Sequence, residues 1–245
     1  VMENDVFITD PILENLPGSG GIFVTYPEVS KVMAVIRVQT HIKNTGSGDE
    51  KITVRHHLLQ PGNNGNRGGN GNRAGNGPGR DAKFCVSTGA KPIETGSTAI
   101  TDIEFPDPRL WSPATPDLYY LVTDIYSEGQ LSDTDTTCIG IRRFEITKDR
   151  FAVNGEEMFL RGVNRHQEYP FIGYALSDNA QYRDARLIKE AGFDYVRLSH
   201  YPHSPAFMVA CDELGLLVLD AIPGWQYFSE DPAFQDQAVR TCRDM

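Results

Sequence analysis

Two short apolar stretches, each followed directly by polar residues, limit most strongly which folds this chain can adopt. The first runs from Phe159 to His166 and the second from Val196 to Pro202, and both end in Asn, Arg, His or Ser side chains. The apolar half of each stretch is typical of a buried strand. In parallel α/β folds, polar groups that follow the carboxyl end of a strand form the ligand site. We therefore expect one shared polar pocket at the ends of two neighbouring strands.

The second part of the chain, residues 146–245, alternates strand-like and helix-like segments. Ser177 and Ser204 are placed as helix caps, and Gly192 and Gly215 are placed as stop signals. The segments that continue this pattern are strand-like at residues 193–198 and 216–219 and helix-like at residues 231–245. The order predicts the start of a parallel (β/α)8 barrel or of a doubly wound sheet. Three strands do not close a barrel, so we expect the barrel to be incomplete.

The first part, residues 1–145, predicts an immunoglobulin-like β-sandwich, because short strand-like segments rich in β-branched residues alternate with turn residues. These segments lie at residues 32–40, 52–56, 98–105, 118–125 and 138–146. Residues 61–80 contain eight glycines and six asparagines. Such a segment buries too little apolar area to offset its ordering entropy, so we expect a flexible insertion between strands.

Composition excludes several classes of function. The net charge of −10 and the isoelectric point near 5.0 argue against nucleic-acid binding, which needs a basic face. No apolar run approaches the roughly 18 residues that a membrane-spanning helix needs, so we expect no membrane partner. The N-terminus has neither the basic nor the apolar part of a signal peptide. The four cysteines form no CxxC pair, which argues against a zinc site and implies no disulfide framework.

The residues at the predicted strand ends suit a sugar. Amide and guanidinium groups hydrogen-bond to hydroxyls, and an aromatic ring packs against the C–H face of a pyranose. The candidate substrate-binding residues are Asn164, Arg165, His166, Arg197, His200, Asp220 and Trp225. A zinc ion held by His166, His200 and Asp220 is the alternative use of the same groups. A Ser199–His200 nucleophile pair is disfavoured, because adjacent strand residues point to opposite faces.

An ordered set of motifs adds a resemblance to a known family. The motifs in the second part are Asn154-Gly155, residues 159–166, 191–193, 196–197, 199–202, 211–215 and 222–225. Upstream motifs are residues 6–11, 110–113, 116–119 and 140–142. Each motif alone is weak. Together they resemble glycoside hydrolase family 2, which comprises β-galactosidases, β-glucuronidases and β-mannosidases, over nearly the whole chain outside the Gly/Asn insertion.

The resemblance implies a jelly-roll domain, an immunoglobulin-like sandwich and a catalytic (β/α)8 barrel, of which this chain holds the sandwich and about three βα units. It also implies a retaining mechanism with two glutamates, expected beyond Met245 because no Asn-Glu motif occurs here. His166, Arg197 and His200 would line the sugar subsite. Ala221 departs from the family pattern, in which an acid often follows the position of Asp220, and this leaves the substrate open.

Several alternatives stay open at the level of sequence. Glu168 and Asp220 are the strand-end carboxylates, and neither is paired in a pattern that demands catalysis. We therefore predict that this chain alone is inactive, and that it needs no cofactor and holds no metal. Its partner is a β-glycoside, and self-association is left open. The rival interpretation is a non-hydrolytic carbohydrate-binding or structural module. The compartment is undetermined, with a periplasmic or extracellular location favoured over a cytoplasmic one.

Overall fold

The computed structural model describes residues 4–10, 20–48, 50–60, 83–87, 91–93, 98–222 and 227–244. The chain forms two compact units. Unit 1 comprises Val1–Arg109 and Leu118–Ile141, and unit 2 comprises Leu110–Asp117 and Arg142–Met245. The predicted Gly/Asn insertion at residues 61–80 lies outside the described residues.

Unit 1 is built from antiparallel strands that form two sheets. The strands are β1 (Val6–Ile8), β2 (Ile22–Val29), β3 (Met33–Asn44), β4 (Ile52–Gln60), β5 (Lys83–Ser87), β6 (Lys91–Ile93), β7 (Thr98–Pro106), β8 (Tyr119–Ser127) and β9 (Gln130–Ile139). One sheet has the order β1-β3-β2, with β7 also paired to β3. The other has the order β5-β4-β8-β9, with β6 also paired to β4.

Alternating burial shows how the two sheets of unit 1 form one core. Along β3, β4, β7 and β8, every second side chain is buried, which is the pattern of a strand with one covered face. Side chains from both sheets meet in a single apolar cluster of Val6, Ile42, Ile52, Val54, Ala99 and Ile125. Each fully buried side chain of this kind stabilises the fold by about 1.5–3 kcal/mol. The predicted β-sandwich is confirmed.

Unit 2 contains a small antiparallel sheet followed by a parallel one. The small sheet is formed by β10 (Phe144–Ile146), β11 (Phe151–Val153) and β12 (Glu156–Glu157). The parallel sheet has the order β13 (Gly162–Arg165), β14 (Tyr195–Leu198) and β15 (Leu217–Leu219). The helices are α1 (Asp178–Glu190), α2 (Pro205–Leu214) and α3 (Pro232–Asp244). The predicted alternation of parallel strands and helices is confirmed.

One face of the parallel sheet is covered by helices. Val196 and Leu198 of β14 pack with Ala185 of α1 and with Phe207 and Cys211 of α2 in one buried cluster. Because side chains alternate along a strand, the residues between those of the cluster point to the opposite face. None of the helices in the described part of the chain is both long and apolar enough to cross a membrane.

The helix boundaries follow the capping signals of the sequence. The Ser177 side chain accepts a hydrogen bond from the Ala180 N–H, and the Ser204 side chain accepts one from the Ala206 N–H. Gly215 ends α2 at φ 77°, in the left-handed region that glycine adopts most easily. An added Cβ at Gly215 would also lie 2.5 Å from the Pro113 carbonyl oxygen. The predicted caps and the stop at Gly215 are confirmed.

The first parallel strand begins later than the apolar pattern predicted. Phe159 is 85% exposed and precedes β13, which starts at Gly162 and contains the polar residues Asn164 and Arg165. The strand can pair closely from Gly162 onward because this residue has no Cβ. A Cβ there would lie 2.2 Å from the Tyr195 carbonyl oxygen of β14. The strand therefore starts at the residue where the two backbones approach closely, and not within the apolar run.

The segment Leu110–Asp117 is part of unit 2, although the chain on both sides of it belongs to unit 1. Its Trp111 is 1% exposed, and the indole N–H donates to the Asp212 carbonyl oxygen at 2.7 Å. The Arg142 guanidinium lies 4.7 Å from the centre of the indole ring. The Asn154 amide donates to the Trp111 carbonyl oxygen at 2.9 Å. This tryptophan is thus a core residue of unit 2.

Candidate functional site

The carboxyl ends of β13 and β14 bring two imidazoles together. His166 directly follows β13, and His200 comes two residues after the end of β14. Their ring centres lie 5.5 Å apart, with the rings nearly perpendicular at 86°. The parallel pairing aligns Arg165 with Leu198, so the polar residues that follow both strands leave the sheet at the same edge. Side chains that follow the two strands therefore lie close together at one edge of the sheet.

Asn164 and Arg197 occupy the sheet face that the helices leave uncovered. They are aligned as partners in the parallel pairing of β13 and β14, and their neighbours Val163 and Val196 face the helix-covered core. Asn164 is exposed, and Arg197 is half-buried. The Arg197 guanidinium donates to the hydroxyl of the buried Ser199 at 3.3 Å. This face thus presents an amide and a guanidinium beside the two imidazoles.

The surroundings of His200 favour its neutral form. Burial lowers the pKa of His200, and electrostatic repulsion from the Arg197 guanidinium lowers it further. A neutral imidazole carries one N–H donor and one bare nitrogen acceptor. This combination suits a sugar hydroxyl, which also donates one hydrogen bond and accepts others.

Tyr201 connects His166 to a neighbouring loop. Its hydroxyl lies 3.3 Å from Nδ1 of His166, and its ring packs edge-on against Tyr174 with ring centres 5.9 Å apart. Burial raises the pKa of Tyr201, and a hydrogen bond with Tyr174 adds to this effect. The phenol is therefore a neutral partner that orients the His166 ring.

Arg165 is placed differently from the other predicted site residues. Its side chain is only 6% exposed and lies under the helices. It pairs with Asp184 of α1 at 2.7 Å and also donates to the Gln181 side chain at 2.8 Å. Its guanidinium carbon stacks 3.9 Å from the ring centre of Phe207. The guanidinium thus contacts the helix layer, on the opposite side from Asn164.

Two further residues complete the buried network around this arginine. Nη1 of Arg165 lies 3.0 Å from Nδ1 of His203, which is 7% exposed. Burial lowers the pKa of His203 to about 4, and the charge of Arg165 contributes to this shift. The Tyr169 hydroxyl donates to the second carboxylate oxygen of Asp184 at 2.6 Å. The network thereby holds in place the residues on both sides of His166.

Asp220 and Trp225 are the remaining candidates from the sequence. Asp220 follows β15, is half-buried, and accepts a hydrogen bond from the Ala221 N–H at 2.7 Å. Trp225 lies outside the described residues. Within the ranges that the structure describes, no group of three or more His, Cys, Asp or Glu side chains is placed to hold a metal ion.

Sequence reasoning did not identify Tyr174, His203 or Asp184 as neighbours of the site. Tyr174 directly follows the loop of residues 169–173, and the aromatic residues of this loop were the available signal. His203 and Asp184 carry no local signal. Their roles depend on the packing of α1 and α2 against β13.

Comparison with protein families identifies the class. The family model described as "Glycosyl hydrolases family 2" matches residues 22–142, and the model of the TIM barrel domain of the same family matches residues 144–233. The chain belongs to glycosyl hydrolases family 2. Its fold is an immunoglobulin-like β-sandwich followed by the first βα units of a TIM barrel, as the sequence motifs predicted.

Among curated proteins, the chain is similar to two β-galactosidases. It is 38% identical over 154 residues to the β-galactosidase of Thermoanaerobacter pseudethanolicus, covering 62% of this chain and 21% of that protein. It is 43% identical over 140 residues to the β-galactosidase of Thermoanaerobacterium thermosulfurigenes, covering 57% of this chain and 19% of that protein. The matched region thus spans about a fifth of the length of these relatives.

Among solved structures, the chain is similar to two β-glucuronidases of Bacteroides uniformis. One is 28% identical with a TM-score of 0.78, and the match covers 98% of this chain and 27% of that one. The other, β-glucuronidase 2 covalently bound to cyclophellitol-6-carboxylate aziridine, is 27% identical with a TM-score of 0.77 and the same coverage. The fold of almost the whole chain therefore recurs within much longer proteins.

Proposed function

We propose that this chain supplies part of the sugar-binding site of a retaining β-glycosidase. The observation that carries the proposal is the meeting of His166 and His200 at one edge of the parallel sheet, with ring centres 5.5 Å apart. Arg197 and Asn164 on the open face of the same sheet extend this polar surface. Family membership supports glycoside hydrolysis as the reaction to which the surface contributes.

The chemistry of each group suits recognition of a pyranose. The neutral His200 imidazole can donate to one hydroxyl and accept from another, and Arg197 can donate to a ring substituent. Asp220 supplies an acceptor oxygen, and Trp225 supplies a ring for the C–H face. Arg165 acts indirectly in this proposal, because its guanidinium contacts Asp184 and Gln181 instead of the open face.

Retaining hydrolysis needs two carboxyl groups about 5–5.5 Å apart, one as acid/base and one as nucleophile. We propose that neither Glu168 nor Asp220 performs these roles. Glu168 is exposed in the loop beyond β13, and Asp220 is engaged with the following backbone N–H. The chain by itself is accordingly a binding surface without turnover, and the reacting carboxylates belong to other parts of a longer enzyme.

The relatives indicate which sugars to test. Their names point to a β-galactoside or a β-glucuronide as substrate. In this proposal residues 146–245 hold the sugar site and residues 1–145 belong to the sandwich. Ala221, beside Asp220, adds no charge to the strand end, so a neutral or an acidic sugar is compatible with that position.

An NMR titration of the 245-residue chain tests the binding surface. Methyl β-D-galactopyranoside and methyl β-D-glucuronide should give saturable shifts for at least one sugar, and the double variant His166→Ala/His200→Ala should weaken that binding roughly tenfold, the loss of one or two hydrogen bonds. His57→Ala is the matched control, because its imidazole contacts Asp124 within the sandwich at 3.1 Å. Equal binding by the double variant and the control would contradict the proposal.

A turnover assay tests the absence of reacting carboxylates. The purified chain should release no nitrophenol from nitrophenyl β-galactoside or β-glucuronide. Turnover that persists through purification and disappears in Glu168→Gln would assign catalysis to this chain and overturn that part of the proposal.

A further inference from the structure

The loop that follows His166 forms a tight, anchored turn. Tyr169 and Gly173 exchange two backbone hydrogen bonds, of 3.1 and 3.0 Å, which close the turn like a small antiparallel bridge. The Tyr169 hydroxyl donates to Asp184 of α1 at 2.6 Å and accepts from Arg183 at 3.2 Å. The turn is therefore fastened to a helix, and its tip has a defined position.

This anchored tip exposes apolar side chains. Phe171 is fully exposed, at 107% of its reference area, and Ile172 and Tyr174 are 50% and 61% exposed. Phe171 also has φ 72°, in the left-handed region that bulky residues rarely adopt. A glycine would fit this backbone more easily. Unfavourable backbone geometry that surrounding contacts enforce is concentrated at ligand sites.

The exposed tip is continuous with the proposed sugar site. The Tyr174 ring contacts the Tyr201 ring edge-on, with centres 5.9 Å apart. The Tyr201 ring in turn lies 5.9 Å from His166, and its hydroxyl reaches Nδ1 of that imidazole. Two ring contacts therefore join the site that would hold the sugar to the apolar tip beside it.

We propose that Phe171, Ile172 and Tyr174 form an aromatic shelf that stacks against the ring on the leaving-group side of a β-glycoside. The proposal rests on the proposed function, because it takes the sugar to lie at His166 and His200. A ring joined to that sugar by one glycosidic bond would extend from the strand ends toward the adjacent loop. An exposed aromatic face can stack on the apolar face of a second sugar or on an aryl group.

Two pairs of ligands that differ only in the leaving group test the shelf. Methyl and phenyl β-D-galactopyranoside, with the corresponding glucuronides in parallel, are titrated into the 245-residue chain by NMR. The phenyl glycoside should bind roughly tenfold more tightly than the methyl glycoside, as one aromatic stacking contact allows. Phe171→Ala should remove this preference and leave the affinity for the methyl glycoside unchanged.

Two variants control the experiment. Phe159→Ala removes another highly exposed phenylalanine, 85% exposed, that precedes the opposite end of β13, and it should keep the phenyl preference. Phe171→Gly removes the ring and relieves the positive φ, so it should lose the preference while its melting temperature is equal to or above that of the parent. This variant separates loss of stacking from loss of folding.

The possible failures are distinguishable. A phenyl preference that survives in both Phe171 variants overturns the shelf and leaves the proposed function standing. Failure of the parent chain to bind any of the four glycosides overturns the proposed function and the shelf with it. Concentration-dependent self-association that Phe171→Ala abolishes, with phenyl affinity unchanged, would instead assign the tip to contact between copies and overturn the shelf.

Discussion

The buried pair between Arg165 and Asp184 gives a quantitative test of the second unit. We predict that Asp184→Asn destabilises it by about 3 kcal/mol. The carboxylate accepts from Arg165 and from the Tyr169 hydroxyl, and the two charged side chains are only 6% and 18% exposed. Removing one partner of a buried ion pair costs about 3–5 kcal/mol, because the remaining charge is left without compensation. The partial exposure of Asp184 places the estimate of about 3 kcal/mol at the lower end of that range.

Urea denaturation followed by circular dichroism at 222 nm measures this change. The three described helices all belong to unit 2, so the helical signal reports on that unit. For a domain of about 100 residues each kcal/mol corresponds to roughly 4–8 °C, so the melting temperature should fall by more than about 10 °C. The double variant Arg165→Met/Asp184→Leu should recover most of the loss, because it leaves no unpaired charge.

Arg186→Ala is the matched control on the same helix. Arg186 pairs with Glu190 at 3.6 Å, but both side chains are more than half exposed. Such an exposed pair contributes about 0.3–0.5 kcal/mol. If Asp184→Asn destabilises the chain no more than Arg186→Ala does, the buried network does not support the site as we have argued.

Two other predictions concern the same unit. Burial and the charge of Arg165 lower the pKa of His203 to about 4, below its value near 6.5 in the unfolded chain, so protonation favours unfolding. The urea midpoint should therefore fall as the pH drops from 6.5 to 4 and then level off. His203→Gln should flatten this pH dependence. Gly162→Ala should destabilise unit 2 by about 2–3 kcal/mol in the same denaturation assay, because the added Cβ would lie 2.2 Å from the Tyr195 carbonyl oxygen. Gly48→Ala in unit 1, where a Cβ meets nothing within 4 Å, should leave the stability of its own unit unchanged, and a unit 2 midpoint of Gly162→Ala equal to that of the parent would refute the clash.

Local signals in the sequence determined much of the fold. The side chains of Ser177 and Ser204 cap helices, and Gly215 ends one, because these residues act on backbone groups a few positions away. The strands of the sandwich could equally be predicted from the sequence, because burial of one sheet face makes every second residue apolar. These features need no knowledge of distant partners.

The contact partners of individual site residues could not be predicted from local sequence in this way. Arg165 pairs with Asp184, nineteen positions along the chain, and that contact depends on how α1 lies on the sheet. On α1, Leu187 is 42% exposed, whereas the buried positions are Gln181 and Ala185. The polar Gln181 lies on the buried side of the helix, where its side-chain oxygen accepts a hydrogen bond from the Arg165 guanidinium. The sugar-binding roles of the strand-end residues stay predictions.

The membership of Trp111 in the second unit affects how this protein can be divided. A gene segment starting at Arg142 would omit the indole against which Arg142 stacks and to which Asp212 offers its carbonyl oxygen. It would also omit the Pro113 carbonyl that accepts from Lys189. A division of the chain at Arg142 therefore cuts through unit 2. We expect a recombinant barrel portion to need the 110–117 peptide, covalently linked or added in trans, to restore these contacts.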